Sequence, residues 1–178
     1  NDNYEGLDII RYVEDQEPQF PKKINKDNAD DLPDDLPLSL EKAIQDFILV
    51  NAVRNLRGHE EKHSSMLVHV ALRVKWIDRV ALLVNELLRT YKNQIESGVG
   101  SLIPILEWRY RNDFLSTSYD VIDSIGYVDP KLTIFQWEQV KKELNKAVQE
   151  IEVRAIHGEK RIRELEYHNI EGLNYSIY

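Results

Sequence analysis

The chain contains no cysteine. That removes disulfides, a thiol nucleophile and thiolate metal sites, and it fits a cytoplasmic protein. Long hydrophobic runs are missing as well. No apolar stretch approaches the ~18 residues of a membrane span, and the first residues lack the basic, apolar and small-residue pattern of a signal peptide, so no membrane association is expected. Basic residues are in deficit. With 23 Lys and Arg against 31 Asp and Glu, the net charge is −8, so this chain alone lacks the broad cationic face that holds nucleic-acid phosphates. Neither a GxxxxGK[ST] phosphate loop nor a DExH-type Mg²⁺ box occurs, so the chain is not by itself a complete ATPase.

What is present is globular in kind. A 42% hydrophobic and 30% charged composition over 178 residues supports one core and hardly two. Residues 1–37 are acidic, with Pro18, Pro21, Pro33 and Pro37 and little periodicity. They read as an arm or linker docked through Tyr4, Ile9, Ile10, Tyr12 and Phe20. Residues 38–178 form the domain. The sequence opens without methionine, and Leu173 to Tyr178 alternate like a strand that has just begun; a piece of a larger protein is the expectation.

Within the domain, Ser39 is expected to cap a helix carrying Leu40, Ile44, Phe47, Ile48, Ala52 and Leu56 on one stripe, stopped by Gly58. A second helix spans about 77–96 and ends at Gly98 and Gly100. Ser101 and Pro104 open further helical material, reaching about Gly126. Thr133 with Gln136 reads as a capping box launching a helix through Trp137, Val140, Leu144 and Val148. Strands are expected at 66–71, 151–156 and 173–178, with a polar helical turn over EKRIRELE before the last. Strand, helix, helical insert, strand, strand is the rhythm of a helix-rich α/β fold with about three parallel strands.

The stretch from Ala52 to Arg73 carries the chemistry. His59, Glu60 and His63 spell HExxH, which binds zinc when both histidines share a helical face and the Glu polarises the metal-bound water. Here Gly58 precedes the box and Glu61-Lys62 interrupt it, and a solvated turn is the simpler reading. Pro33-Asp34 with Glu60-Glu61-Lys62 superficially spells a PD…ExK nuclease, but both pieces fall on loops. Arg54 and Arg57 lie one turn apart at a helix end. They either complement the helix dipole or contact phosphate or a partner lobe. Ser65 either caps a turn or meets DNA phosphate. His69 alternates with Met66, Val68 and Val70 and reads as a buried, hydrogen-bonded histidine. Trp76, Trp108 and Trp137 read as core residues rather than base-stacking platforms.

Taken together, Arg54, Leu56, Arg57 and Gly58 (R-x-L-R-G) with His63, Ser65, Met66, Leu67, His69 and Val70 (H-x-S-M-L-x-H-V) resemble the Z-one (Z1) domain family. Arg79-Val80 match a following R-V pair, and IEVRAIHG and GLNYSIY resemble later strands of the family. The likeness runs over 36–178 and is weakest between about 99 and 130. Ser64 stands where the family often has Asn or Thr, and Ala71-Leu72 replace a usual Ser-Arg, with Arg73 next in line. The resemblance implies the first part of the second RecA-like lobe of a superfamily-two helicase, running into a glycine-rich motif beyond Tyr178.

Such proteins are ATP-driven, DNA-acting motors of prokaryotic restriction or defence systems, to which an endonuclease label is attached. Methyltransferases or nucleases are then the expected partners, DNA is bound through the full-length protein, and ATP with Mg²⁺ is needed there but not in this piece. The implied contact residues, for phosphate, DNA or the partner lobe, are Arg54, Arg57, Gly58, His63, Ser65, His69, Arg79 and His157. No metal ligand is expected, and no catalytic residue is assigned. Two alternatives stand beside this: a zinc metallohydrolase using His59, Glu60 and His63, and a non-catalytic helical module that docks a partner through its acidic arm.

Overall fold

The computed structural model describes residues 12–70, 73–125, 133–156 and 175–177. In chain order they form α1 (Leu38–Leu56), β1 (Ser64–Met66), α2 (Val74–Ser97), α3 (Leu102–Arg109), a π-helical turn (Tyr110–Phe114), α4 (Leu115–Ile125), α5 (Trp137–Gln149), β2 (Ile151–Val153) and β3 (Tyr175–Ile177).

Helix α1 lies at the centre of the helical layer, packed on α5 and α3. It buries Ile44, Phe47, Ile48, Leu49 and Ala52 together with Gln45, Asn51 and Asn55. The expected single apolar stripe is therefore too narrow, because neighbours cover α1 on more than one side. Two of its buried amides donate to local or cross-helix partners: Gln45 Nε2 to Tyr91 Oη of α2 at 2.9 Å, and Asn51 Nδ2 to the Phe47 carbonyl at 2.9 Å. Each fully buried Ile or Leu contributes about 1.5–3 kcal/mol of transfer free energy.

The start of α1 corrects the sequence expectation. Pro37, not Ser39, holds the cap position. Ser39 sits in the first turn, and its N–H donates to Asp15 Oδ2 at 2.8 Å. The arm thus supplies the carboxylate that a local cap would have supplied, at the positive end of the helix dipole.

Helix α2 begins three residues earlier than its apolar period suggests, because Trp76 is 1% exposed and anchors the first turn. Gly98 (φ +67°) closes it in the left-handed conformation. Gln94 Oε1 then accepts the N–H of Leu102 at 3.1 Å and so starts α3. At α5 the capping pair is displaced by one turn: Gln139 Oε1 accepts the N–H of Gln136 at 2.9 Å, and Thr133 with Gln136 does not form the box.

The sheet has order β1-β3-β2 with both pairings parallel. Its register sets Ser64, Ser65 and Met66 against Tyr175, Ser176 and Ile177, which face Ile151, Glu152 and Val153 on the other side. The last strand in sequence is thus the central one, with Ser176 and Ile177 each 1% exposed. The first strand forms two residues earlier than expected; Leu67 to Val70 run on outside the ladder. Only Ile151 to Val153 of the expected second strand are β structure, extended by the Arg154 N–H to the Ile177 carbonyl at 2.8 Å. The described part is thus a helix-rich α/β fold with a small parallel sheet.

The arm packs along the start of α2. Trp76 Nε1 donates to the Ala29 carbonyl (3.1 Å), Lys75 pairs with Asp30 (2.6 Å), Arg79 Nε donates to the Pro33 carbonyl (2.8 Å), and Arg73 reaches the Asn25 carbonyl (3.4 Å). Phe20 joins the core, whereas Tyr12 is 92% exposed and does not dock the arm. Tyr4, Ile9 and Ile10 lie outside the described residues, as does EKRIRELE. Trp137 is buried as expected, but Trp108 is 60% exposed on α3. No helix among the described residues is long and apolar enough to cross a membrane.

Candidate functional site

The arginine motif forms the last turn of α1 and the bend after it. Gly58 adopts φ +71°; its N–H donates to the Asn55 carbonyl at 2.9 Å, and that of His59 to the Arg54 carbonyl at 3.0 Å. These are the two bonds of a Schellman motif, and a left-handed residue at this place is why the pattern carries glycine there. The guanidinium of Arg54 then folds over the bend: Nη2 donates to the Lys62 and His63 carbonyls at 3.2 and 3.3 Å. Arg54 therefore fixes the path from α1 into β1. Glu60 ties the same bend to α5 through Lys146, whose ammonium is held above its ordinary pKa by that hydrogen bond.

This geometry corrects the zinc reading. The helix ends at Leu56, so His59, Glu60 and His63 occupy a bend and do not share a helical face. Among the described residues no group of three or more His, Asp or Glu could hold a metal ion. The PD…ExK reading fares no better: Asp34 is 99% exposed and pairs with Arg79 at 3.7 Å, while Glu60 pairs with Lys146.

The remaining sequence-derived residues separate into distinct places. Ser65 lies on edge strand β1 and is exposed, as is His63 just before it. His69 is exposed too, which corrects its reading as a buried histidine; it borders an apolar cavity of about 100 Å³ with Val68, Val70, Ile77, Val153 and Ile156. Val68 and Val70 face the core cluster instead. Arg79 serves the arm and not the bend. The acidic arm itself lies on α2 through Asp30 and Asp34. His157 lies outside the described residues.

Arg54 and Arg57 do come together, on a cavity of about 160 Å³ between α1, the π-helical turn and the segment before α5. Val50, Val53, Phe114, Leu115 and Ile134 give it apolar walls. Arg57 Nη2 donates to the Thr133 carbonyl at 3.4 Å, the long edge of a hydrogen bond. The Nε atoms of both arginines are buried without an acceptor among the described residues. Tyr110 braces the far wall: its hydroxyl donates to the Phe135 carbonyl at 2.7 Å, and its ring lies 6.0 Å from Trp137 and 6.3 Å from Phe114. Burial pushes the Tyr110 phenol up, the hydrogen bond to Phe135 and the nearby Arg57 charge opposing it.

Sequence reasoning missed this second wall, because it comes from residues some 55 to 80 positions further along the chain, where no motif marks it. It also missed Arg109, 6% exposed in its side chain, which forks onto Asp46 with Nε–Oδ1 2.8 Å and Nη2–Oδ2 2.6 Å.

A family model described as the Z1 domain matches residues 39–177. No curated protein and no solved structure matches the chain. The matched span takes in α1, the arginine-bearing bend, the sheet and the cavity behind it. The chain belongs to the Z1 domain family.

Proposed function

We propose that this chain is part of a superfamily-two helicase-like, ATP-dependent, DNA-acting protein of a prokaryotic restriction or defence system, and that 38–178 begins its second RecA-like lobe, with 1–37 as an accessory arm. The observation that carries the reading is an all-parallel sheet of order β1-β3-β2 in a Z1-family chain. Parallel strands joined through helices are the architecture of nucleotide-driven lobes, and ligands of such sheets gather where strand order switches. The arginine-bearing bend enters edge strand β1 at its amino end, opposite the carboxyl ends where such ligands gather, which suits a contact with the partner lobe or DNA.

On this reading, ATP, Mg²⁺ and most DNA contacts belong to the assembled motor. This chain lacks a phosphate loop, and a transition-state arginine on one lobe acts on a nucleotide held by the other. Arg54 shapes the bend, Arg57 is the cation beside it, and Ser65 and His63 are the exposed polar groups at the strand edge. The protein acts in the cytoplasm, alongside methyltransferases or nucleases.

The test is ATP hydrolysis by this chain and by the intact protein, each with and without duplex DNA. The reading expects none from the chain alone and DNA-stimulated turnover from the intact protein. An intact protein that hydrolyses no ATP with DNA present overturns it.

A further inference from the structure

We propose that the cavity between the last turn of α1 and the π-helical turn is an oxyanion site that takes a terminal phosphate, from a nucleotide or a DNA end. The assignment rests on this chain's own geometry and stands apart from the motor reading.

Charge is the first argument. The chain carries 31 carboxylates to 23 Lys and Arg, and six described cations pair with them: Lys75 with Asp30, Arg79 with Asp34, Arg109 with Asp46, Arg111 with Glu107, Lys146 with Glu60 and Arg154 with Glu152, while Arg73 and Lys92 donate to backbone carbonyls. Yet Arg54 and Arg57, half-buried and facing one cavity, pair with no carboxylate among the described residues. Two guanidinia side by side repel each other, and a buried donor without an acceptor costs free energy. Both Nε atoms are in that state. An anion relieves both penalties at once.

Shape is the second. The cavity of about 160 Å³ has room for a tetrahedral oxyanion. The apolar walls lower the local dielectric and strengthen a charge-assisted bond. Ser118 Oγ already donates to the Phe114 carbonyl at 2.7 Å, so the guanidinia are the donors. A dianionic terminal phosphate matches their charge better than a diester, whose chain must also leave the cavity on both sides.

The two arginines divide the work. Arg54 is fixed by the Lys62 and His63 carbonyls. Among the described residues the Arg57 guanidinium is held by a 3.4 Å bond to Thr133, which a charge-assisted phosphate bond outcompetes. The wide π-helical turn, a form that recurs at functional sites, sets Phe114 and Leu115 as the opposite wall.

Methyl NMR of the full chain tests this, following Val53 and Leu115 during titration with inorganic phosphate, a nucleoside triphosphate, and a 5′-phosphorylated or 5′-hydroxyl oligonucleotide. Saturable shifts at both methyl groups with inorganic phosphate are expected, with affinity falling about tenfold or more in Arg57→Gln. The exposed Arg89→Gln, outside the cavity, should bind as the wild type does. Arg57→Lys keeps the charge without the fork and should fall between, which preserves the test if the Gln variant is unstable. Tighter binding of the triphosphate assigns the site to nucleotide, and tighter binding of the 5′-phosphorylated than of the 5′-hydroxyl strand assigns it to DNA ends. No saturable shift with inorganic phosphate or the triphosphate, or equal affinity in wild type and both Arg57 variants, overturns the proposal.

Discussion

Arg54 reaches nine residues ahead to the carbonyl of His63, at 3.3 Å, and to that of Lys62 at 3.2 Å, so that one guanidinium fixes how the chain passes from α1 into β1. The first arginine of the R-x-L-R-G pattern thus has a structural task whatever else it does. Arg54→Ala removes two charge-assisted bonds from a half-buried bend and should cost about 1–3 kcal/mol in chemical denaturation. A change below a few tenths would show that the bend holds without it.

Arg109 and Asp46 make a sharper case. Arg109 is 6% exposed in its side chain, with Asp113 3.6 Å away as a second carboxylate. Asp46→Ala strips the bidentate partner from a buried charge and should cost about 3–5 kcal/mol. Asp46→Leu combined with Arg109→Met should recover most of that loss, since an apolar pair of similar volume leaves no charge behind. If the double variant is no more stable than Asp46→Ala, packing around Arg109 and not its charge dominates.

The arm should loosen in acid. Hydrogen bonding to Lys75, reinforced by its charge, holds Asp30 below its ordinary value of 3.8; the Ser39 bond does the same for Asp15. A carboxylate with a lowered folded pKa stabilises fully above its unfolded value and ceases to as pH falls through the folded one. Glu41 works in the opposite sense, its carboxyl pushed up by burial and then by Asp35. Trp76 fluorescence should therefore hold steady from neutral pH to about 5 and change below about 4, as the Ala29 contact is lost. Asp30→Asn should diminish that acid step; an unchanged step would mean that the Lys75 pair is not what secures the arm.

The features legible in the sequence are those that depend on near neighbours. Gly58 marks the helix end because a left-handed residue is needed there, and the period of Val80, Val84, Leu88, Tyr91 and Ile95 marks α2 because one face is buried. The interruption of HExxH by Glu61 and Lys62 was visible for the same reason. Long-range substitutions were not visible. Asp15 serves α1 from 24 positions upstream, so Ser39 is not the cap. Leu49 and Asn51 are buried because α1 is covered on several sides, which a one-stripe reading cannot foresee. The cavity behind the arginines depends on Tyr110, Phe114 and Thr133, whose nearness to Arg57 exists only once α5 has folded against α1.

The central claim is that the arginine-bearing helix end serves a DNA-dependent motor. It is tested most directly by DNA-stimulated ATP hydrolysis of the intact protein carrying Arg54→Ala with Arg57→Ala, beside a control carrying Arg89→Ala with Arg111→Ala on exposed helix surfaces. With folding of both verified, the account predicts that the first pair lowers stimulated turnover by about tenfold or more, as loss of a charge-assisted contact does, and that the second leaves it near wild type. Equal turnover in both double variants and the wild type would contradict it and leave the motif with a purely structural role.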